Sequence, residues 1–171
     1  MSVVTLQIGQ CGNQVGCEWF STLAQEIQQM PADCQAEAWA SFFREPGPKA
    51  KQSLPVARCV QLDMEPKVIE ENAVRTTRRG LFQYDVMHST MTSQEGSANN
   101  WAFGYAHKAA QCRDAVLDMV QRELEACDCA GGLLLLHSLA GGTGSGVGAY
   151  FAAALRDELP HVPLLSGAVW P

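Results

Sequence analysis

The stretch Leu133-Leu-Leu-Leu-His-Ser-Leu-Ala-Gly-Gly-Thr-Gly-Ser-Gly146 constrains this chain more than any other. Four consecutive leucines read as a fully buried strand. Gly141, Gly142, Gly144 and Gly146 follow, with Thr143 and Ser145 between them. A helical spacing then begins at Val147 and runs through Phe151, Ala154, Leu155 and Glu158. Strand, glycine loop and helix in that order form a phosphate-binding unit. Glycine lets the backbone approach a ligand and adopt positive φ. The free N–H groups of a first helical turn, aided by the helix dipole, face an anion. Hydroxyls at Ser138, Thr143 and Ser145 add donors. No lysine follows the glycines, so this is not the GxxxxGK[ST] loop. Charge compensation is expected from backbone amides and a metal ion. A tight turn with glycines for close packing is the plainer reading, but four glycines and two hydroxyls in six residues exceed what a turn needs.

The rest of the chain alternates strand and helix. Val3–Ile8 reads as a strand, and Gly9-Gln-Cys-Gly-Asn-Gln14 as a turn opening a helix whose face is Val15, Trp19, Leu23 and Ile27. Met30-Pro31 ends it. An irregular, exposed insert is expected over about 31–54, with a short helix at Ala36–Phe43 and a loop from Glu45 to Lys51. Val56–Leu62 is the second strand, ending at Asp63-Met-Glu65. Pro66 opens a helix that runs from Val68 to Arg79 and stops at Gly80. Tyr84–Met87 suggests a short strand and Thr92–Gly104 a polar loop. Cys112, Val116, Val120, Leu124 and Cys127 mark an amphipathic helix, and His161–Trp170 a last apolar strand. Such alternation implies an α/β, doubly wound parallel sheet. Ligands bind such sheets at the carboxyl ends of the strands. Gly9–Asn13, Asp63–Glu65, Glu95–Asn100 and Ala140–Gly146 all fall at such ends.

Composition narrows the function. With 171 residues, 47% hydrophobic and 18% charged, the chain suits one globular domain. A net charge of −6 argues against a nucleic-acid surface. Arg75, Arg78 and Arg79 sit at a helix end, where the dipole favours them. Seven irregularly spaced cysteines read as free thiols of a reducing cytosol, and Cys127-Asp-Cys129 lacks the second pair a zinc site needs. No apolar run is long enough to span a bilayer.

Within the loops, Gln10 is placed to bond a phosphate oxygen or a metal-bound water, or to cap its helix. Asp63 and Glu65 end the second strand. Magnesium keeps several waters, so one carboxylate beside a phosphate site suits it as an outer ligand; Glu65 is that candidate, with helix-dipole stabilisation as its plainer role. Gly96-Ser-Ala-Asn-Asn100 offers backbone amides and two side-chain amides to a terminal phosphate. Trp101 reads as a packing anchor. The four histidines have no evident partners, and His137 beside Ser138 points to the opposite strand face, which disfavours a hydrolase dyad. Gly144-Ser-Gly-Val-Gly-Ala149 also fits the G-x-G-x-x-A fingerprint of an NAD-dependent oxidoreductase. That reading needs an acidic residue at the end of the next strand, whereas Asp157 and Glu158 come too early.

Taken in order, these four loops resemble the tubulin superfamily. Ala140-Gly-Gly-Thr-Gly-Ser-Gly146 is similar to the family signature, with alanine for its usual first glycine. Gly9-Gln-Cys-Gly-Asn-Gln14, Asp63-Met-Glu-Pro66 and Asn99-Asn-Trp101 match its other amino-terminal nucleotide loops. Val56-Ala-Arg, Asp63-Met-Glu-Pro-Lys-Val-Ile69, Asn99-Asn-Trp-Ala-Phe-Gly-Tyr105 and Val169-Trp-Pro171 resemble the delta subfamily. Glu125-Ala-Cys-Asp-Cys129 and His137-Ser-Leu139 look more like the beta subfamily.

The resemblance implies a Rossmann-like GTPase domain that binds GTP or GDP with magnesium. By motif match, Gln10 and Cys11 would lie near the nucleotide, Glu65 would act through the metal, and Asn99 would face the γ-phosphate. Ser138, Gly142, Thr143, Gly144, Ser145 and Gly146 would wrap the phosphates. It further implies a cytoplasmic, cytoskeletal protein of centrioles, basal bodies or cilia, with other tubulins or centriolar microtubules as partners. The likeness covers less than half of a tubulin, so a truncated GTP-binding domain over 1–171 is expected, or a fragment without function. The acidic loop that completes a tubulin GTPase site in the neighbouring subunit has no counterpart here, so negligible hydrolysis by the chain alone is expected.

Overall fold

The computed structural model describes residues 1–47 and 54–171. β1 (Ser2–Ile8) leads into α1 (Gly9–Gln29) and α2 (Ala32–Phe42). β2 (Phe43–Arg44), β3 (Val56–Ala57) and β4 (Cys59–Asp63) precede α3 (Lys67–Arg79) and β5 (Thr90–Thr92). α4 (Trp101–Phe103) runs through a π-helical turn at Gly104–Lys108 into α5 (Ala109–Glu125). β6 (Ala130–Ser138), a second π-helical turn at Thr143–Val147, α6 (Gly148–Glu158) and β7 (Leu164–Val169) complete the order.

The main sheet has five parallel strands in the order β5-β4-β1-β6-β7. Because β1 sends the chain to β4 on one side and has β6 on the other, the order reverses beside β1. A crevice opens at such a switch point, outside the carboxyl ends of the strands. The register aligns those ends, since Gln7 of β1 pairs with both Gln61 of β4 and Leu136 of β6.

Strand alternation sorts the two faces. Val4, Leu6 and Ile8 of β1, with Val60 and Leu62 of β4, pack on Cys112, Val116 and Val120 of α5 and on Phe151 and Leu155 of α6. The opposite face carries α1, whose Cys17, Phe20, Ala24 and Ile27 pack on Phe43, Cys59, Phe82 and Tyr84. Next to this second core lies a buried polar row. Gln61 donates to Gln7 and to Asn13, whose own amide donates to the carbonyls of Leu62 and Gly9.

Four local expectations change. The buried stripe of α1 is rotated from the expected one: Val15 is exposed, and Gly16 packs on Gln7 instead. Val56–Leu62 is two strands, because Arg58 N–H turns to the Phe42 carbonyl while Val56 and Ala57 pair antiparallel with β2. Tyr84–Met87 is not a strand: the carbonyl of Asp85 accepts from His88 and Ser89 in a turn, and β5 forms only at Thr90. Finally, α2 begins at Ala32, right after Pro31, rather than at Ala36. The Glu45–Lys51 loop lies partly outside the described residues.

Candidate functional site

Loops from the ends of β1, β4, β5 and β6 line one cleft of about 1110 Å³. Gln10, Cys11, Glu65, Asn99, Ser138, Gly142, Thr143 and Gly144 all line it. Ser145 and Gly146 do not belong to the lining and are buried beneath it.

The glycine loop is braced from several sides. Gly9 follows β1 with φ +73°, and a Cβ there would come 2.9 Å from the Gly144 nitrogen, so only glycine lets the two segments meet. The Ser138 hydroxyl accepts from Ala140 N–H at 3.0 Å, and the Ser145 hydroxyl donates back to the Gly141 carbonyl. The expected Ser145 donor is therefore used inside the loop. Gly146 lies backbone to backbone against Trp101 of α4 and Gly104 of the other π-helical turn. Part of the glycine content thus serves close packing, as the plainer reading of this loop held. His137 also has partners that sequence did not reveal. Its Nδ1 meets the Gly144 carbonyl at 2.9 Å, which can only accept, so Nδ1 carries the proton and Nε2 accepts from the Ser166 hydroxyl.

The β5 loop covers the cleft from the other side. Ser97 Oγ and Thr143 Oγ1 share a hydrogen bond of 2.9 Å. Ala98 and Asn99 take φ values of 49° and 52°, left-handed backbone that non-glycine residues adopt at a cost. Asn99 lines the cleft, but Asn100 does not: its Oδ1 caps α4 by accepting from Phe103 N–H. Trp101 is half exposed and stacks on Tyr105, with ring centroids 4.9 Å apart, so it is no buried anchor.

Charge in the cleft is mixed. Asp63 is buried, and burial, with the negative charge of Glu65 adding, pushes its carboxyl up to about 6 against hydrogen bonds from the Met64 and Glu65 amides. Glu65 is exposed and reaches the Gly96 backbone, where a Cβ would lie 3.1 Å from Oε1. A cleft-facing carboxylate beside backbone amides suits a hydrated magnesium ion, which asks for few protein ligands. Among the described residues no cluster of three or more metal-ligating side chains occurs. Lys67, in the first turn of α3, also lines the cleft. Sequence reasoning sought compensating charge only in amides and metal. Lys67 was detectable, because it follows Pro66 at the same strand end as Glu65. Gln14, Asp63, Ser97 and Gly141 are further lining residues not counted among the site residues from sequence.

No helix among the described residues is long and apolar enough to cross a membrane. All seven cysteines are free thiols. The model of the Tubulin/FtsZ family, GTPase domain, matches residues 2–171. The chain is 36% identical to the tubulin delta chain of Mus musculus and 35% identical to that of Homo sapiens, in each case across 100% of this chain and 38% of the relative. It is 38% identical to the tubulin beta chain of Pneumocystis carinii, across 99% of this chain and 38% of the relative. The chain therefore spans 38% of the length of these curated relatives.

Proposed function

The chain belongs to the Tubulin/FtsZ family, as its GTPase domain, and from that premise we propose that the cleft holds the phosphates of GTP or GDP together with magnesium. The convergence of four strand-end loops on one crevice at the switch point carries this reading. Gly142, Thr143 and Gly144 wrap the phosphates with backbone N–H groups and the Thr143 hydroxyl, while Ser145 and Gly146 hold that loop in shape. Ser138 supports it from the end of β6. Gln10 and Cys11 lie beside the phosphates at the start of α1. Asn99 faces the terminal phosphate. Glu65 would hold a hydrated metal ion, which would supply charge neutralisation to the phosphates. Lys67 adds a second positive charge. Negligible GTP hydrolysis by the chain alone is part of this reading.

The same reading extends to a wider role. In that role the protein acts as a cytoplasmic, cytoskeletal tubulin of the delta type, in centrioles, basal bodies and cilia, with other tubulins or centriolar microtubules as partners. Identity of 35–36% to tubulin delta chains across the whole of this chain supports this reading.

Thermal melting of the purified chain tests the nucleotide reading. A ligand at about 100 times its Kd stabilises by about 2.7 kcal/mol. For a domain of this size that is a rise of roughly 5–10 °C. GTP or GDP with magnesium should produce it, and NADH should not. Preference for NADH restores the dinucleotide reading of Gly144–Ala149. No shift with any nucleotide identifies a fragment without binding function.

A further inference from the structure

We propose that Lys108 is a positioning residue for the nucleotide cleft: its buried ammonium, through Glu95, holds the left-handed loop that carries Asn99 toward the terminal phosphate. Lys108 stands at the end of the π-helical turn between α4 and α5 and is only 4% exposed. An ammonium buried without an anion is costly, and such groups are found paired. Here the anion is Glu95, whose Oε2 lies 3.2 Å from Nζ, and the Phe103 ring lies under the same ammonium at 5.5 Å. Glu95 itself is 85% exposed and belongs to no strand or helix, so its position is set from Lys108's side of the pair.

The wide turn makes this approach possible. The Ala109 N–H bonds back to Gly104 across five residues rather than four. One extra residue rotates everything before it by about 100° relative to an uninterrupted α-helix. The loop that Glu95 enters needs outside support. Ala98 and Asn99 are consecutive non-glycine residues at positive φ, a conformation that persists only when its surroundings over-determine it. At the carboxyl end of the loop, Ser97 is tied to Thr143 and Asn100 N–H to the Ser97 carbonyl. At the amino end, Ser93 N–H donates to the Asp63 carbonyl at 3.3 Å. Between these two ends, just before Gly96 where the loop passes Glu65, Glu95 is held by its N–H to Ser93 Oγ at 3.3 Å and by the Lys108 pair, which ties it to a distant element.

This inference rests on the nucleotide reading for its functional half alone. The variants are Glu95→Gln, Lys108→Met and Lys108→Arg in the whole chain. Titration with GTP–magnesium and GDP–magnesium should show GTP binding weakened about tenfold in Glu95→Gln, which keeps an acceptor but removes the charge facing the buried ammonium, and in Lys108→Met, which removes the donor. GDP binding should change by less than about twofold, since GDP lacks the phosphate that Asn99 meets, and Lys108→Arg should recover GTP binding. Equal weakening of GTP and GDP, or no change in either, overturns the proposal. Amide hydrogen exchange without nucleotide is the second readout. Gly96–Asn99 should exchange about tenfold faster in Glu95→Gln while α5 is unchanged. Unchanged exchange in the loop overturns the proposal even if the wild-type chain binds no nucleotide, an outcome that would remove the nucleotide reading separately. If Lys108→Met does not fold, Glu95→Gln still decides, because Glu95 is at the surface.

Discussion

The two loops that face each other across the cleft are held in opposite ways. Ala140–Gly146 is fixed by backbone: Gly144 against Gly9, and Gly146 against Trp101 and Gly104. Gly96–Asn100 is fixed by side chains: Ser97 on Thr143, the Asn100 amide on Phe103, and Glu95 on Lys108. The stem of the second loop is likewise held by charge. Arg44 bonds Asp85 at 2.8 Å and Glu123 at 3.1 Å, and Ser89, next to β5, donates to Glu123 at 2.8 Å. A contact between glycine backbones offers nothing to titrate, and any added atom disrupts it. A contact between side chains tolerates change one group at a time, and it responds to pH and to neighbouring anions.

The largest expected effect breaks the backbone contact. Gly146→Ala places a methyl group into the Trp101 carbonyl and 2.9 Å from the Tyr105 nitrogen. Overpacking of this kind costs about 2–3 kcal/mol. Calorimetry should show a melting temperature lower by roughly 5–10 °C. An unchanged melting temperature would mean that the two π-helical turns can part freely, and the contrast between the loops would disappear.

Next in size is the charged stem. Burial raises the Asp85 carboxyl, but Arg44 and His88 outweigh it and hold it below the usual carboxylate range. A carboxyl lowered in the folded state contributes stability above its unfolded value, about 3.9, and that contribution is lost as pH falls through the lowered value. Arg44→Met should cost about 1–2 kcal/mol at pH 7, a partly exposed pair being worth less than a fully buried one. Melting followed from pH 7 to pH 3 should find this difference shrinking in acid. A constant difference would assign Arg44 a packing role only.

The smallest effect has the opposite sign. Ala98→Gly removes the steric cost of φ 49°, at the expense of a more flexible unfolded chain. A net gain of about 0.5 kcal/mol is expected in chemical denaturation. A loss instead would show that the Ala98 methyl group packs in a way that offsets its backbone strain.

Much of this arrangement was legible in the order of residues. Apolar runs, glycines and Pro66 are local signals, and they located β1, β4, β6 and the loops that follow them. They also placed eight of the ten predicted site residues on the cleft lining: Gln10, Cys11, Glu65, Asn99, Ser138, Gly142, Thr143 and Gly144. Ser145 and Gly146 lie beneath the lining, where the Ser145 hydroxyl donates to the Gly141 carbonyl, Gly146 N–H donates to the Gly142 carbonyl, and Gly146 packs against Trp101 and Gly104. The α1 face differs from the Val15, Trp19, Leu23 and Ile27 stripe because Gly16 gives the closer approach to β1. Tyr84–Met87 has strand-like residues, but Asp85 bonds locally and its side chain is taken by Arg44 and His88.

The sequence by itself determined the alternation of strand and helix, the phosphate-type loop after β6 and the membership of a family, because each depends on neighbours along the chain. Tertiary structure alone decided which groups far apart in the chain meet around the cleft: Ser97 on Thr143, and Lys108 under Glu95. The reason is physical. A π-helical turn shifts helical phase by a residue, and a buried charge selects its partner by distance in space, and neither quantity is written in the spacing of residues along the chain.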